Sequence, residues 1–190
     1  MKVLLLGEFS SLHRYLKEGL QELGEIDVKL FANGDSWKQI GGADGNLFDS
    51  RGGAIGRIKT CEDALKKARS FKDYDVVQMI NPQTYPQLVN SKICKALSSK
   101  NKCFSLVAAG DDLALVTAYR EGKLDYYMMD HEKAPLRYYD DSTFRGKAKI
   151  KAEKKIVSCA DVIIPSLYEY TLGYEGNDRL SKVIPFPINT

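Results

Sequence analysis

Short apolar runs alternate along the chain with longer segments in which apolar residues have helical spacing. The first run, Lys2–Leu6, ends at Gly7 and is typical of a strand that is buried on both faces of a parallel sheet. Apolar residues then recur at helical spacing until Gly24, which predicts a helix that ends at this glycine. The next run, 26–32, predicts a second strand. Together these elements form a βαβ unit.

The alternation continues through the rest of the chain. Further strands are predicted over 74–80, 102–110, 160–165 and 182–186, with helices before or between them. Thr60 with Asp63, and Ser166 with Glu169, form the pattern of a capping box. Pro86 suits the first turn of another helix. We therefore predict an α/β fold in a single domain over residues 1–190. Its core is a Rossmann-like, open and mostly parallel sheet of about six strands with helices on both faces.

Two long connections interrupt this pattern, Asn33–Lys59 and Leu113 to about Phe144. Connections of this length in a compact domain are usually functional or mobile. The first contains the glycine-rich segment 51–57, RGGAIGR, which we expect to form a flexible loop. The two arginines of this segment allow a second interpretation, in which the loop contacts phosphate groups.

The predicted sheet also predicts where a ligand binds. In an open parallel sheet, ligands lie beyond the carboxyl ends of the strands, at the point where the strand order reverses. Ten candidate substrate-binding residues follow predicted strands and should meet at this rim: Gly7, Glu8, Ser10, Ser11, His13, Asn81, Gly110, Asp111, Asp112 and Ser166. Helix N-termini at Ser11 and Ser166 would direct free N–H groups toward the same rim.

Most of the polar candidates also have a structural explanation. The three serines are equally suited to cap helices. The two aspartates precede a helix that starts near Leu113, and they could be its N-cap and its first-turn acid. His13 lies between apolar positions of the first helical turn and could be a half-exposed packing residue.

Composition and motifs argue against several functional classes. The net charge of +3 is mild and predicts no nucleic-acid partner. The chain has no GxGxxG and no GxxxxGK[ST] sequence, so we predict no dinucleotide or other cofactor. The four cysteines form no CxxC pair, which predicts free thiols in a reducing compartment and no metal site. The N-terminal apolar run is too short for a membrane span, and we expect a cytoplasmic protein.

A basic segment late in the chain has two interpretations. It holds six cations around a single acid, Glu153: Arg145, Lys147, Lys149, Lys151, Lys154 and Lys155. The first interpretation is a solvated helix whose Ile150, Ile156 and Val157 face the core. The second is peripheral membrane contact, because tyrosines and methionines that suit a lipid surface precede the lysines. These residues are Tyr119, Tyr126, Tyr127, Met128, Met129, Tyr138 and Tyr139.

Several stretches, taken in order, resemble glycosyltransferase family 4, whose members have the two-domain GT-B fold. They are MKVLLLGEFSSLHRYLKEGLQELG at 1–24, YDVVQMINP at 74–82, AAGDD at 108–112, CADVIIPS at 159–166 and KVIPFPIN at 182–189. The resemblance spans nearly all of the chain and covers the N-terminal, acceptor-binding half of such an enzyme. It implies that the C-terminal donor-binding domain is absent, that the proline-containing segment from Leu180 leads toward that domain, and that this chain is inactive alone.

The resemblance implies transfer of a sugar, with retention, from a nucleotide-sugar donor to a glycan or lipid-linked acceptor, without a metal. Gly7–Ser11 would form the loop that faces donor and acceptor. Gly110 and Asp111 would occupy the turn where many members carry a histidine near the reacting sugar. Because this chain lacks that histidine, the catalytic residue stays unassigned, with Asp111 as the candidate. Hydrogen bonding from the turn to sugar hydroxyls is then the simpler role.

Two alternatives to a transferase stay open. A nucleotide-sugar epimerase of similar architecture would need acids and histidines in the cleft, for which His13 and Glu8 are the candidates. A non-catalytic Rossmann-like binding module would need neither these groups nor a second domain.

Overall fold

Strands and helices alternate over the residues that the structure, a computed structural model, describes: 1–34, 38, 40–124 and 133–187. The strands are β1 (Lys2–Leu6), β2 (Asp27–Phe31), β3 (Val76–Met79), β4 (Phe104–Ala108) and β5 (Val162–Pro165). The helices are α1 (Leu12–Glu22), α2 (Gly53–Ser70), α3 (Gln87–Lys100), α4 (Leu113–Arg120), α5 (Ala134–Tyr138), α6 (Phe144–Cys159) and α7 (Glu169–Leu172).

The five strands form one open, parallel sheet in the order β2-β1-β3-β4-β5. β1 pairs with β2 on one side and with β3 on the other, so that Leu4 lies between Lys29 and Val77. The strand order therefore reverses between β1 and β3. The α/β, Rossmann-like fold predicted from the alternation of apolar runs and helical segments is confirmed.

Side chains of β1 enter cores on both faces of the sheet. Leu4 and Leu6 pack on one face with residues of α2, α3 and α6. Val3 and Leu5 point to the opposite face and pack with residues of α1. Because successive strand residues point to opposite faces, a strand covered on both sides needs an unbroken apolar run.

The sixth predicted strand, 182–186, is not a strand of the sheet. The segment follows the outer edge of β5, where the Ile184 N–H donates to the Pro165 carbonyl oxygen at 2.9 Å. An isolated bridge also joins Leu180 to β5. Pro185 lacks the N–H that a longer ladder requires. Within the described residues the sheet therefore has five strands, and the prediction of about six was too high.

The outer edge of β2 is also accompanied by a connecting segment. The Asp44 N–H donates to the Leu30 carbonyl oxygen at 2.7 Å, and the Ala32 N–H donates to the Gly45 carbonyl oxygen at 3.0 Å. The Asp44 carboxylate accepts the Leu30 N–H at 2.7 Å as well. Part of the first long connection is thus hydrogen-bonded along the edge of the sheet.

Helix α2 begins at Gly53, within the segment that was predicted to be a flexible loop, and that prediction is wrong. Thr60 is consequently a mid-helix residue, so it does not form a capping box with Asp63. Its hydroxyl donates to the Asp49 carbonyl oxygen at 3.0 Å and accepts the Arg51 N–H at 3.0 Å. These bonds fix the chain before α2 and compensate for the low helix propensity of glycine.

The second long connection also contains regular structure, since α4 and α5 lie within it. The basic segment that follows is helix α6. Its Ile156 is buried in the core, and Val157 packs against the same core, as the first interpretation of that segment predicted. The predicted lipid-contacting residues Tyr126–Met129 lie outside the described residues.

Candidate functional site

A cleft opens at the carboxyl ends of β1 and β3, where the strand order reverses. Its volume of about 340 Å³ lies in the range of small-molecule sites. The predicted site residues that line it are Gly7, Glu8, Asn81, Gly110 and Asp111. Residues that were not predicted complete the lining: Phe9, Asn33, Gly34, Leu47, Ile80, Gln83, Thr84, Pro135 and Tyr138.

Gly7 forms the turn from β1 into the cleft. Its φ of 83° lies in the left-handed region, which favours glycine. A Cβ at this position would lie 2.5 Å from Cγ2 of Ile80 and 2.9 Å from Cγ2 of Thr84. Glycine therefore allows the loop after β1 to pack directly against the loop after β3.

Glu8 caps helix α1. Its carboxylate accepts the backbone N–H groups of Phe9 at 2.7 Å, His13 at 3.3 Å and Arg14 at 2.9 Å. The side chain thereby satisfies N–H groups that the first helical turn leaves unpaired, and its negative charge lies at the positive end of the helix. With Glu8 only 7% exposed, its main role in the cleft wall is structural.

Ser10 and Ser11 lie directly before α1. Ser11 occupies the N-cap position, but its side chain makes no capping hydrogen bond. Both serines have positive φ values, 50° and 67°, instead of the extended conformation of an ordinary N-cap. The Ser10 hydroxyl accepts a hydrogen bond from Lys38 Nζ at 2.9 Å. Neither serine lines the cleft.

His13 is fully buried beneath the cleft and does not line it. Its Nδ1 lies 2.8 Å from the Gly7 carbonyl oxygen, which can only accept, so Nδ1 carries the proton. Its Nε2 then accepts from the Gln78 amide nitrogen at 3.1 Å. Burial lowers the pKa of His13 to about 4. The side chain is therefore a neutral interior group, and the expectation of a half-exposed residue is wrong.

Asn81 and Gln83 cross-link the loops that follow β3 and β4. The Asn81 amide nitrogen donates to the Ala109 carbonyl oxygen, and its Oδ1 accepts the Gln83 N–H at 2.6 Å. The Gln83 amide nitrogen donates to the Asp111 carbonyl oxygen and to the Tyr139 hydroxyl, each at 2.9 Å. The polar rim of the cleft is thus held in place without a ligand.

The adjacent aspartates occupy different environments. Asp111 is half-buried and lines the cleft. Asp112 is 1% exposed and caps α4, because its carboxylate accepts the Leu115 N–H at 2.9 Å. Its other oxygen accepts from the Tyr174 hydroxyl at 2.7 Å. Burial raises the pKa of Asp112 to about 7, although both hydrogen bonds favour the charged form. Asp112 is therefore the N-cap of α4, but the helix has no acid in its first turn, so only the capping half of that expectation is confirmed.

Ser166 is buried and lies outside the cleft lining. Its hydroxyl donates to the Ala108 carbonyl oxygen at 3.1 Å, which ties β5 to β4. Helix α7 begins at Glu169 after an N-cap at Tyr168, so the capping box predicted for Ser166 and Glu169 is wrong.

Sequence reasoning missed several lining residues for different reasons. Phe9 directly follows Glu8, and Gln83 lies two residues after Asn81, so the rule that identified these candidates could have included them. Pro135 and Tyr138 come from α5, far along the chain from the lining residues that follow β1 and β3. Nothing in their local sequence indicates that α5 returns to the end of the sheet.

The lining chemistry suits a neutral ligand with several hydroxyl groups. Carboxylate and amide side chains can accept and donate hydrogen bonds to hydroxyls, and the rings of Phe9 and Tyr138 can cover an apolar surface. None of the described lining residues is a lysine, arginine or histidine. In the described part of the chain, no group of His, Cys, Asp and Glu side chains could hold a metal ion.

The outer face of α6 is cationic. Lys147, Lys151, Lys154 and Lys155 are exposed on it, and Phe144 at its start is 88% exposed. The acid of this helix, Glu153, is buried and pairs with Lys149 at 3.0 Å. Of the helices that the structure describes, none has the length and apolar character needed to cross a bilayer.

Comparisons with known proteins assign no family to this chain. A scan against models of known protein families gives no match, and a search of curated proteins gives no significant relative. The resemblance to glycosyltransferase family 4 therefore rests on the stretches of sequence quoted above.

Proposed function

We propose that this chain is the acceptor-binding half of a retaining glycosyltransferase. The observation that carries the proposal is the cleft at the reversal of strand order, with its carboxylate, amide and aromatic lining. Such a lining bonds sugar hydroxyls, but without cations among its described residues it is poorly suited to a diphosphate. A nucleotide-sugar donor would therefore bind mainly through a second domain, as the sequence resemblance implies.

The role of this chain in the proposed reaction is to position the acceptor. The acceptor oxygen forms a bond to the anomeric carbon while the bond from that carbon to the diphosphate breaks, and the proton of the acceptor hydroxyl passes to the departing diphosphate oxygen. Positioning and electrostatic stabilisation supply most of the catalysis in such a transfer. Asp111 is the candidate to hydrogen-bond the reacting hydroxyl, because it lines the cleft. The Glu8 carboxylate, by contrast, accepts three backbone N–H groups, two of them from α1.

The structure weakens the epimerase alternative in particular. That alternative needs an acid and a histidine that reach a ligand, and Glu8 and His13 were its candidates. His13 is buried with both ring nitrogens hydrogen-bonded, and Glu8 caps α1. A non-catalytic binding module would use the same cleft, so only an assay of sugar transfer separates it from a transferase.

The test is an assay of the protein encoded by the full reading frame. Labelled nucleotide sugars and neutral oligosaccharide acceptors are supplied, and transfer of the label is measured. We expect Asp111→Asn to lower kcat/KM about 100-fold, the order of effect of a positioned acid or base. Asp141→Asn is the matched control, because Asp141 is exposed and lies outside the cleft.

Other results would change the proposal. Oligosaccharide binding without transfer would favour the binding module. Transfer that Asp111→Asn leaves unchanged would remove Asp111 from the reaction. No binding of any oligosaccharide would refute the proposal for the cleft itself.

Peripheral membrane contact through α6 is the second part of the proposal. The exposed lysines would attract anionic headgroups, and Phe144 could enter the interface beside them. We expect sedimentation with anionic vesicles at low salt, weaker binding at high salt, and none with neutral vesicles. Lys151→Glu/Lys155→Glu should abolish binding, whereas Lys66→Glu/Lys72→Glu, outside α6, should not. If both double variants lost vesicle binding to the same extent, a specific role for α6 would be contradicted.

A further inference from the structure

Two adjacent tyrosines at the end of α5 have opposite environments. Tyr138, the last residue of α5, is 62% exposed and lines the cleft. Tyr139, the next residue, is completely buried. Tyr139 is the C-cap residue of α5 and follows Tyr138 directly in the chain. A fixed position of Tyr139 therefore sets the direction in which Tyr138 points.

The side chain of Tyr139 is held by polar contacts centred on the buried Glu153. Its hydroxyl donates to Oε1 of Glu153 at 2.6 Å and accepts from the Gln83 amide nitrogen at 2.9 Å. The Lys149 Nζ lies 4.8 Å from the centre of the Tyr139 ring and 3.0 Å from Oε1 of Glu153. Burial and the Glu153 carboxylate raise the pKa of the Tyr139 hydroxyl, so it remains a donor.

The backbone around Tyr139 is fixed as well. The Arg120 guanidinium donates to the carbonyl oxygens of Tyr139 at 3.0 Å and Leu136 at 3.1 Å. After Tyr139, the chain passes so close to α6 that a Cβ on Gly146 would overlap the Asp140 carbonyl group. Helix α5 is too short to be stable by itself, so these contacts determine its position.

We propose that Tyr138 is the stacking platform of the cleft and that Tyr139, bonded to Glu153, is the positioning residue that holds it there. The inference rests on the proposed function and narrows the ligand to a pyranose, a ring with one flat face of C–H groups. An aromatic ring gains from covering such a face, while Asp111, Asn81 and Gln83, which also line the cleft, offer hydrogen-bonding groups to the hydroxyls. An acyclic polyol offers the hydroxyls without the rigid apolar face.

The stacking role is tested by titrating the chain with methyl β-D-glucopyranoside and methyl β-D-galactopyranoside, with binding followed by saturation-transfer NMR. Sorbitol is the acyclic comparison. We expect Tyr138→Ala to weaken pyranoside binding about 10-fold, a loss typical of an aromatic contact, and Tyr138→Phe to retain binding. Tyr168→Ala, at an exposed tyrosine outside the cleft, should have no effect. Pyranoside binding that is unchanged in Tyr138→Ala would overturn the stacking role.

The positioning role is tested with Tyr139→Phe, which removes the hydroxyl and keeps the ring. We expect faster deuterium exchange over 133–140, unchanged exchange in β1 and β4, and a pyranoside affinity that falls by about 3-fold or more. The ratio of the affinity for pyranosides to the affinity for sorbitol should fall in the same variant. Unchanged exchange and affinity would overturn the positioning role. If the unmodified chain binds neither pyranoside, the stacking role is overturned, while the assay of transfer to oligosaccharides decides the proposed function separately. Exchange then decides whether Tyr139 anchors α5.

Discussion

The Tyr174 hydroxyl lies 2.7 Å from a carboxylate oxygen of Asp112, and both side chains are buried. This bond joins the segment after α7 to the N-terminus of α4. Gly173 packs beside it, against the Ala114 backbone. A carboxyl group in such a place is costly to ionise, and this makes the stability of the fold depend on pH.

The raised pKa of Asp112 predicts that its contribution to the stability of the fold is lost as pH rises. Its pKa is raised from 3.8 to about 7 in the folded state, so between these values the folded chain keeps a proton that the unfolded chain has lost. The stabilising contribution is complete below about pH 4 and is lost as pH rises through about 7, by at most about 1.4 kcal/mol per pH unit. Asp112→Asn should remove this slope, as measured by urea unfolding from pH 4 to 8.

The lowered pKa of His13 predicts a change of stability with pH in the opposite direction. Its pKa is lowered from 6.5 to about 4 by burial, so its contribution is complete above about pH 6.5 and is lost as pH falls through about 4. His13→Gln should remove this loss. Because the two slopes oppose each other, the unmodified chain should have a flatter stability curve than either variant. A curve for Asp112→Asn that does not rise between pH 4 and 6.5 would contradict the assignment of His13.

Glu8 should contribute more to the stability of α1 than the serine at the N-cap position. We expect Glu8→Ala to lower the free energy of unfolding by about 1–2 kcal/mol, since it removes the acceptor of two helix N–H groups and of the Phe9 N–H before the helix. Ser11→Ala should change it by less than about 0.5 kcal/mol, because the Ser11 side chain makes no capping hydrogen bond. Guanidinium unfolding at neutral pH measures both. Equal effects would show that Glu8 is not the cap.

Two glycines in helices should respond to alanine in opposite directions. Gly146→Ala forces a Cβ into the Asp140 carbonyl group and should destabilise the fold by about 1–3 kcal/mol or more, as overpacking does. Gly19→Ala in α1 meets nothing within 4 Å and should stabilise it by about 0.5–1 kcal/mol through helix propensity. Thermal unfolding of both variants tests this pair. A tolerated Gly146→Ala would mean that α5 and α6 pack less closely than the structure shows.

The sheet and the place of the cleft could be predicted because both depend on patterns that are local in the sequence. The apolar run Lys2–Leu6 is long enough to identify a strand buried on both faces. Once the strands are known, parallel order brings their carboxyl ends together, and the cleft is expected at the reversal. Gly7, Asn81 and Asp111 lie there for that reason.

The roles of individual polar residues could not be predicted, because they depend on backbone geometry and packing. Ser11 was a good N-cap candidate by residue type, but its left-handed conformation leaves the N–H groups of α1 to Glu8. From its sequence position His13 was expected to be half-exposed. In the structure, α1 packs on the sheet and buries the His13 side chain against Gln78. Helix α2 likewise extends through its glycines because Thr60 fixes the chain before it.

The segments along β2 and β5 have a consequence for the behaviour of the protein in concentrated solution. An uncovered edge strand offers unpaired N–H and C=O groups to another chain and promotes aggregation. Here Asp44 and Gly45 occupy positions along one edge, and Leu180 and Ile184 occupy positions along the other. The chain thus blocks strand addition by its own copies at these positions. Loss of the 180–187 segment would expose β5 and make it a starting point for intermolecular β-sheet.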